Sequence, residues 1–301
     1  MKKESDFRKI LNPSEIAKLK TLELKARTVV EGFMVGHHKS PYHGFSVEFS
    51  QHRPYMQGDS FKNIDWKVFA KSERYFIKQY EEETNLIAHI LLDSSKSMDF
   101  KHTGQVSKYE YSKILSASLV YLLLKQQDAV GLAIYSDELK SYLRPKSKRT
   151  YLRQILAEIE KSNPSSTTQT LSSINKFAEN IKSRGLIIVV SDFLDDVNEI
   201  LNSLKKFYYK KNEVIVFHIL DPIEKNFGFS KDSIFIDMET KEEMTTQPIQ
   251  IQKAYKDAMS DYLLKMKNGC EKYGFDYNLV DTSTSFDIAL MSFFKKRARL
   301  L

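Results

Sequence analysis

LIAHILLDSSKSM, residues 86–98, decides the fold. LIAHILL is a short, nearly continuous apolar run, the pattern of a strand buried on both faces. It ends in Asp93, followed by Ser94-Ser95-Lys96-Ser97. A carboxylate is thus followed at the second and fourth positions by hydroxyls. In an extended segment entering a turn, alternate residues point the same way, so Asp93, Ser95 and Ser97 are expected to converge. All three offer hard oxygen, which suits Mg2+ or another oxygen-loving divalent ion. A serine-rich turn after a buried strand can equally serve to cap the next helix. The spacing alone leaves both readings open.

Downstream, GLIIVVSD (185–192) repeats the pattern, a second buried strand ending in an acid, Asp192. Between the two, SSTTQT (165–170) offers hydroxyls just before a helical stretch. Helices are expected at 109–126, 150–161, 171–182, 195–208, 249–273 and 286–299. Further strands are expected at 129–136, 213–220, 233–238 and 276–280, with a short edge strand at 141–144. Strands alternating with helices over this length imply an α/β fold: a doubly wound, mostly parallel sheet flanked by helices, Rossmann-like. Such sheets place functional residues just past the C-terminal ends of their strands, where Asp93 and Asp192 stand.

Upstream, residues 13–34 read as a helix, capped by Asn12 or Ser14, with Pro13 in the first turn and Ile16, Leu19, Leu22 and Leu24 as apolar positions. From about residue 33 to 80, aromatics, Gly, His and Pro crowd together among short alternating apolar runs, which predicts small antiparallel strands and turns. The expected division is therefore 1–84, a helix plus a β-rich subdomain, and 85–301, the α/β domain.

Composition narrows the function classes. The chain has 301 residues, 42% hydrophobic and 28% charged, an ordinary globular balance. The N-terminus is charged from its first residues, and the longest apolar run falls far short of the roughly 20 residues of a membrane span. One cysteine, Cys270, makes no internal disulfide and fits a reducing compartment, so a cytoplasmic location is expected; the residue itself reads as half-buried and structural. The formal net charge of +7 suggests nucleic acid, but the lysines are interleaved with acids along the whole chain, as on a solvated mixed surface. His37, His38 and His43 cluster without a cysteine and read as a surface turn rather than a zinc site. No G-x-S-x-G, Walker-type or H-E-x-x-H motif is present, and Ser191-Asp192 has no evident histidine base.

Two blocks carry a family resemblance. DSSKS matches the Asp-x-Ser-x-Ser signature that begins the metal-ion-dependent adhesion site of von Willebrand factor A domains. Residues 36–97 resemble, more narrowly, the prokaryotic domain of unknown function 58 family. The shared pattern runs Gly36-x-x-x-Ser40, Glu48-Phe49, Arg53-x-Tyr55, Gly58-Asp59, Ile64-Asp65-Trp66-Lys67 and Lys78-x-Tyr80-x-Glu82 into the metal loop. The closing LVDTSTSFDIALMSFFKKR is also similar to that family's C-terminus. The resemblance implies a threonine ligand at Thr168, with Thr167 and Thr170 as rivals because Ser165-Ser166 replace the usual glycines, and a late acid at Asp192. It further implies a protein-binding role, with Mg2+ held by Asp93, Ser95 and Ser97 and completed by an acidic residue of a client. Members of the family are commonly paired with MoxR-type AAA+ ATPases, which makes such an ATPase the expected partner.

Arg53, Asp59, Asp65, Trp66 and Lys67 are the expected docking face. Alternatively, Trp66 anchors the small unit while the charges pair on the surface. Two rival functions remain open to this sequence. One is a Mg2+-dependent phosphoester or nucleotide hydrolase, disfavoured by the lack of a general base and of a glycine-rich phosphate loop. The other is a nucleic-acid binder, which would show steep salt dependence.

Overall fold

The computed structural model describes residues 11–36, 52–54, 66–72, 74–78, 86–102, 106–165, 170–229, 233–236, 243–246 and 248–297. The chain divides into two compact units, Met1–Lys39 with Leu86–Leu301, and Ser40–Asn85.

The larger unit is built on a six-stranded sheet. Its strands are β3 (Ile87–Asp93), β4 (Ala129–Tyr135), β5 (Leu139–Lys146), β6 (Leu186–Ser191), β7 (Glu213–Leu220) and β10 (Asp276–Asp281). Their order across the sheet is β10-β7-β6-β3-β4-β5. Every pairing is parallel except β4 with β5. The expected doubly wound α/β sheet is therefore what the chain forms. From β3 the chain moves one way to β4 and β5, then returns to β6 on the other side of β3. The order thus reverses between β3 and β6, the position at whose C-terminal strand ends sheets of this kind bind ligands.

Burial explains which strand sits where. All of β6 and nearly all of β3 are buried, so both are central. In β5 partly buried and exposed residues alternate, which suits an edge strand that closes a hairpin on β4. At Gly185, the entry to β6, an added Cβ would lie 2.2 Å from the Ile87 carbonyl oxygen, so only glycine fits there.

Helix α4 (Lys108–Lys125) is buried along most of its length and is capped by Ser107, whose hydroxyl accepts the Glu110 N–H. Helix α5 (Tyr151–Lys161) packs against it, whereas α6 (Thr170–Asn180), α7 (Val197–Tyr209) and α9 (Pro248–Lys272) share a separate core with Leu91, Ile187, Val189 and Val216. The chain closes with α10 (Phe286–Arg297). Cys270, on α9, is fully buried in the core rather than half-buried, and burial pushes its thiol up to about 12.

The N-terminal stretch departs from expectation in two ways. It is two helices, α1 (Pro13–Ala17, capped by Asn12) and α2 (Leu22–Gly36). Leu22, Ala26, Val29, Val30 and Phe33 carry its core face, while Leu24 is exposed. It also belongs to the larger unit rather than to the β-rich one, packing on α4 and α10, with Phe33 stacked on Phe294 at 4.7 Å. Two short elements of this unit were not anticipated. They are α8 (Pro222–Asn226), closed by a capping box between Asp221 and Glu224, and β9 (Glu243–Thr246), paired antiparallel with β8 (Ser233–Ile236).

In the smaller unit, β1 (His52–Pro54) pairs antiparallel with β2 (Phe76–Lys78), placing Arg53 opposite Ile77. Strands were expected there, but helix α3 (Trp66–Ser72) was not. Phe69 stacks on Tyr75 at 4.5 Å, and the exposed Trp66 ring meets Phe69 edge-on.

His89 sits inside β3 with both ring nitrogens buried and, among the described residues, lacking hydrogen-bond partners, between the rings of Tyr142 and Phe177. Burial lowers its pKa from 6.5 to about 4. Between those values the unfolded chain binds the extra proton, so the fold is fully stable above pH 6.5 and loses stability as pH falls through 4. The loss amounts to about 3 kcal/mol at its limit. Urea denaturation of wild type and His89→Phe across that range should therefore show the wild-type midpoint dropping more steeply. Parallel curves would refute this reading.

Candidate functional site

The site lies where the topology reverses. Asp93 ends β3, and its carboxylate is turned by local bonds: the Ser95 N–H donates to Oδ1 at 2.8 Å. The chain then enters a 3-10 turn, Lys96–Asp99, which brings Ser97 Oγ to 3.0 Å from Ser95 Oγ. Ser95 is thus joined to Asp93 through its backbone N–H and to Ser97 through its hydroxyl, the latter by way of a turn rather than simple strand alternation.

A further hydroxyl joins them from β6. Ser191 Oγ donates to Asp93 Oδ2 at 2.6 Å and accepts the Phe193 N–H at 3.0 Å. Sequence reading weighed Ser191 only as a nucleophile. Here it faces a carboxylate, while His218 pairs through Nδ1 with the Tyr277 hydroxyl. Phe193 takes a left-handed conformation (φ 47°), unusual for a residue with a side chain, and its carbonyl accepts the Tyr262 hydroxyl. Strain of this kind costs about 1–3 kcal/mol and here shapes the turn immediately after Asp192.

The loops are strapped together. Ser165 forms a parallel bridge with Ser95 and donates its N–H to the Ser94 carbonyl at 3.0 Å. Lys140 Nζ donates to Ser94 Oγ at 3.0 Å and to Ser165 Oγ at 2.6 Å. The hydroxyl-rich run thus begins against the loop that follows β3. Thr167 and Thr168 lie outside the described residues, and Thr170 opens α6.

The two acids differ in company. Asp93 is 1% exposed, and its carboxyl oxygens are met by a hydroxyl and a backbone N–H; among the described residues it pairs with no cation. Burial first, and then the charge of Asp192, hold its carboxyl well above the usual carboxylate range. Asp192 is 2% exposed and pairs with Lys108, whose Nζ lies 2.8 Å from Oδ2 and 2.6 Å from Glu224 Oε1. Burial alone would lower the Lys108 pKa, but the two carboxylates more than offset it and the net shift is upward. Lys108 and Glu224 were not anticipated: a lysine opening a helix in SKYEYSK reads as a surface residue.

Among the described residues, no group of three or more His, Cys, Asp and Glu side chains forms a metal-holding cluster. The donors here are of another kind: a buried carboxylate without a cation, beside the hydroxyls of Ser95, Ser97 and Ser191. That set fits a hard divalent ion.

Of the expected docking face, Asp59 and Asp65 lie outside the described residues, as do the side chains of Arg53 and Lys67; Trp66 is 57% exposed. His37, His38 and His43 also lie outside them.

Residues 51–262 match the family described as "Protein of unknown function DUF58". The chain belongs to the DUF58 family. This DUF58 chain is 24% identical over 232 residues to a Mycobacterium bovis protein, covering 76% of this chain and 72% of the relative. A Mycobacterium tuberculosis protein matches equally. Among solved structures it is similar to BatB from Bacteroides thetaiotaomicron (TM-score 0.48, 18% identity, 71% of this chain and 99% of that one). It is also similar to the SpRpn10 VWA domain (TM-score 0.41, 12% identity, 69% and 94%). No helix among the described residues is long and apolar enough to cross a membrane.

Proposed function

We propose that this DUF58 chain is a divalent-metal-dependent protein-binding module rather than an enzyme. Asp93, Ser95 and Ser97 would hold Mg2+ or a similar ion, with Asp192 and Thr168 contributing directly or through water. The ion would supply a positive centre for a carboxylate from an acidic residue of a protein client. The observation that carries this reading is Asp93: a buried carboxylate that forms no ion pair among the described residues, met by the Ser191 hydroxyl and the Ser95 N–H, has the chemistry to hold a hard ion. Few charged ligands leave such an ion electrophilic, which favours binding an external carboxylate. The family resemblance supports a cytoplasmic adaptor role beside a MoxR-type AAA+ ATPase in the assembly or maturation of protein complexes.

The direct test is calorimetric titration of the purified chain with MgCl2, followed by co-purification with a MoxR-type ATPase in Mg2+ and in EDTA. Saturable Mg2+ binding and EDTA-sensitive co-purification are expected. No Mg2+ binding, together with co-purification unaffected by EDTA, would overturn the reading. Ala variants at Thr167, Thr168 and Thr170 should separate the rivals: only the true ligand weakens Mg2+ binding, by roughly tenfold, as for other ligand-shell losses.

A further inference from the structure

Lys108 is the first residue of α4, and its side chain is completely buried. Its ammonium is fixed rather than free to swing: Asp192 Oδ2 lies 2.8 Å away, Glu224 Oε1 2.6 Å, and the Phe100 ring centre 5.6 Å. Glu224 is itself held, because its Oε2 accepts the Asp221 N–H at 2.7 Å. Asp221 is held in turn, its Oδ2 accepting the His102 N–H at 3.1 Å. One oxygen of Asp192 is therefore committed to a lysine that is locked in place from three directions. The negative charge that Asp192 could lend to a neighbouring ion is largely cancelled, whereas Asp93 has no such partner among the described residues.

We propose that Lys108 is a resident counter-charge that occupies Asp192 and holds divalent-cation affinity at the Asp93–Ser95–Ser97 cup low, so that a client's carboxylate is needed to complete a tight site. This rests on the metal reading above. Lys108 acts through Asp192 and is a positioning residue. Its effect is electrostatic, which gives it a signature that a purely structural role lacks. Removing the ammonium exposes the cup to two uncompensated carboxylates, Asp192 and Glu224, and tightens cation binding. Removing the Glu224 charge leaves the ammonium less compensated and weakens it. The two substitutions move affinity in opposite directions, although both disturb the same buried network.

The experiment is titration of Mg2+, and separately Mn2+, into wild type, Lys108→Met and Glu224→Gln, with circular dichroism as the check on folding. Lys108→Met is expected to bind about tenfold or more tightly than wild type, since a unit charge at this range in a poorly solvated site is worth at least that factor. Glu224→Gln is expected to bind several-fold more weakly. If Lys108→Met does not fold, the double variant Lys108→Met/Glu224→Gln, which keeps the charges closer to balance, is compared with Glu224→Gln and should show the same tightening. Wild-type binding with unchanged or weakened affinity on loss of Lys108 would overturn this inference and leave the metal reading standing. Absence of divalent-cation binding in every form would remove both.

Discussion

Asp93→Asn is expected to abolish the proposed Mg2+ binding and metal-dependent partner capture, yet the metal-free variant is expected to melt no lower than wild type. The two halves of this result have one cause. Asp93 is the site's only buried carboxylate without a cation partner among the described residues, so a cation there depends on its charge. In the absence of metal the same charge is a burden, because burial and the nearby Asp192 disfavour the ionised form. Asparagine keeps an oxygen for the Ser95 N–H or the Ser191 hydroxyl and removes the charge. Alanine would leave both donors unpaired, at about 1–3 kcal/mol for each one buried, so Asn is the cleaner variant. Thermal denaturation in EDTA checks the second half, and Mg2+ titration checks the first. A variant that binds Mg2+ normally, or melts well below wild type in EDTA, would show that Asp93 is a structural cap.

The parts of the fold that were legible are those whose signal is written in consecutive residues. LIAHILL and GLIIVVS announce central strands because burial on both faces leaves no polar alternation, and both are buried as read. Asp93 and Ser95 could be paired from spacing because a local backbone bond joins them. What stayed hidden depends on distant company. Lys108 lies 84 residues from Asp192 and looks like any helix-opening lysine until the fold buries it. Ser191 is visible beside Asp192, but its bond to Asp93 spans 98 residues. WKVFAKS and PIEKN are too short for a helical period to register, so α3 and α8 were missed. Placing residues 13–34 with the β-rich stretch failed because sequence adjacency was the guide. The helix's apolar face instead finds α4 and, near the far end of the chain, α10.

Asp192→Asn should behave in the opposite way to Asp93→Asn, although sequence reading gave both acids the same task. Asp192 is one of two partners of a lysine that has no access to water. Loss of its charge leaves the ammonium leaning on Glu224 alone. Breaking a buried pair by removing one partner costs about 3–5 kcal/mol, and the remaining carboxylate places this case near the lower end. For a unit of this size that is a drop in melting temperature of roughly 6–12 °C. The penalty comes from the stranded charge rather than from a lost contact, so it should be relieved by removing the charge as well. Lys108→Met/Asp192→Asn is therefore expected to recover most of the loss, with a coupling energy of about 2 kcal/mol in a double-mutant cycle read by urea denaturation. Additive effects of the two substitutions would mean that Asp192 and Lys108 do not share a buried pair in solution. A cost for Asp192→Asn below about 1 kcal/mol would mean that water reaches the lysine. In either case the difference between the two acids, one without an ion pair among the described residues and the other sharing an oxygen with a buried lysine, would disappear.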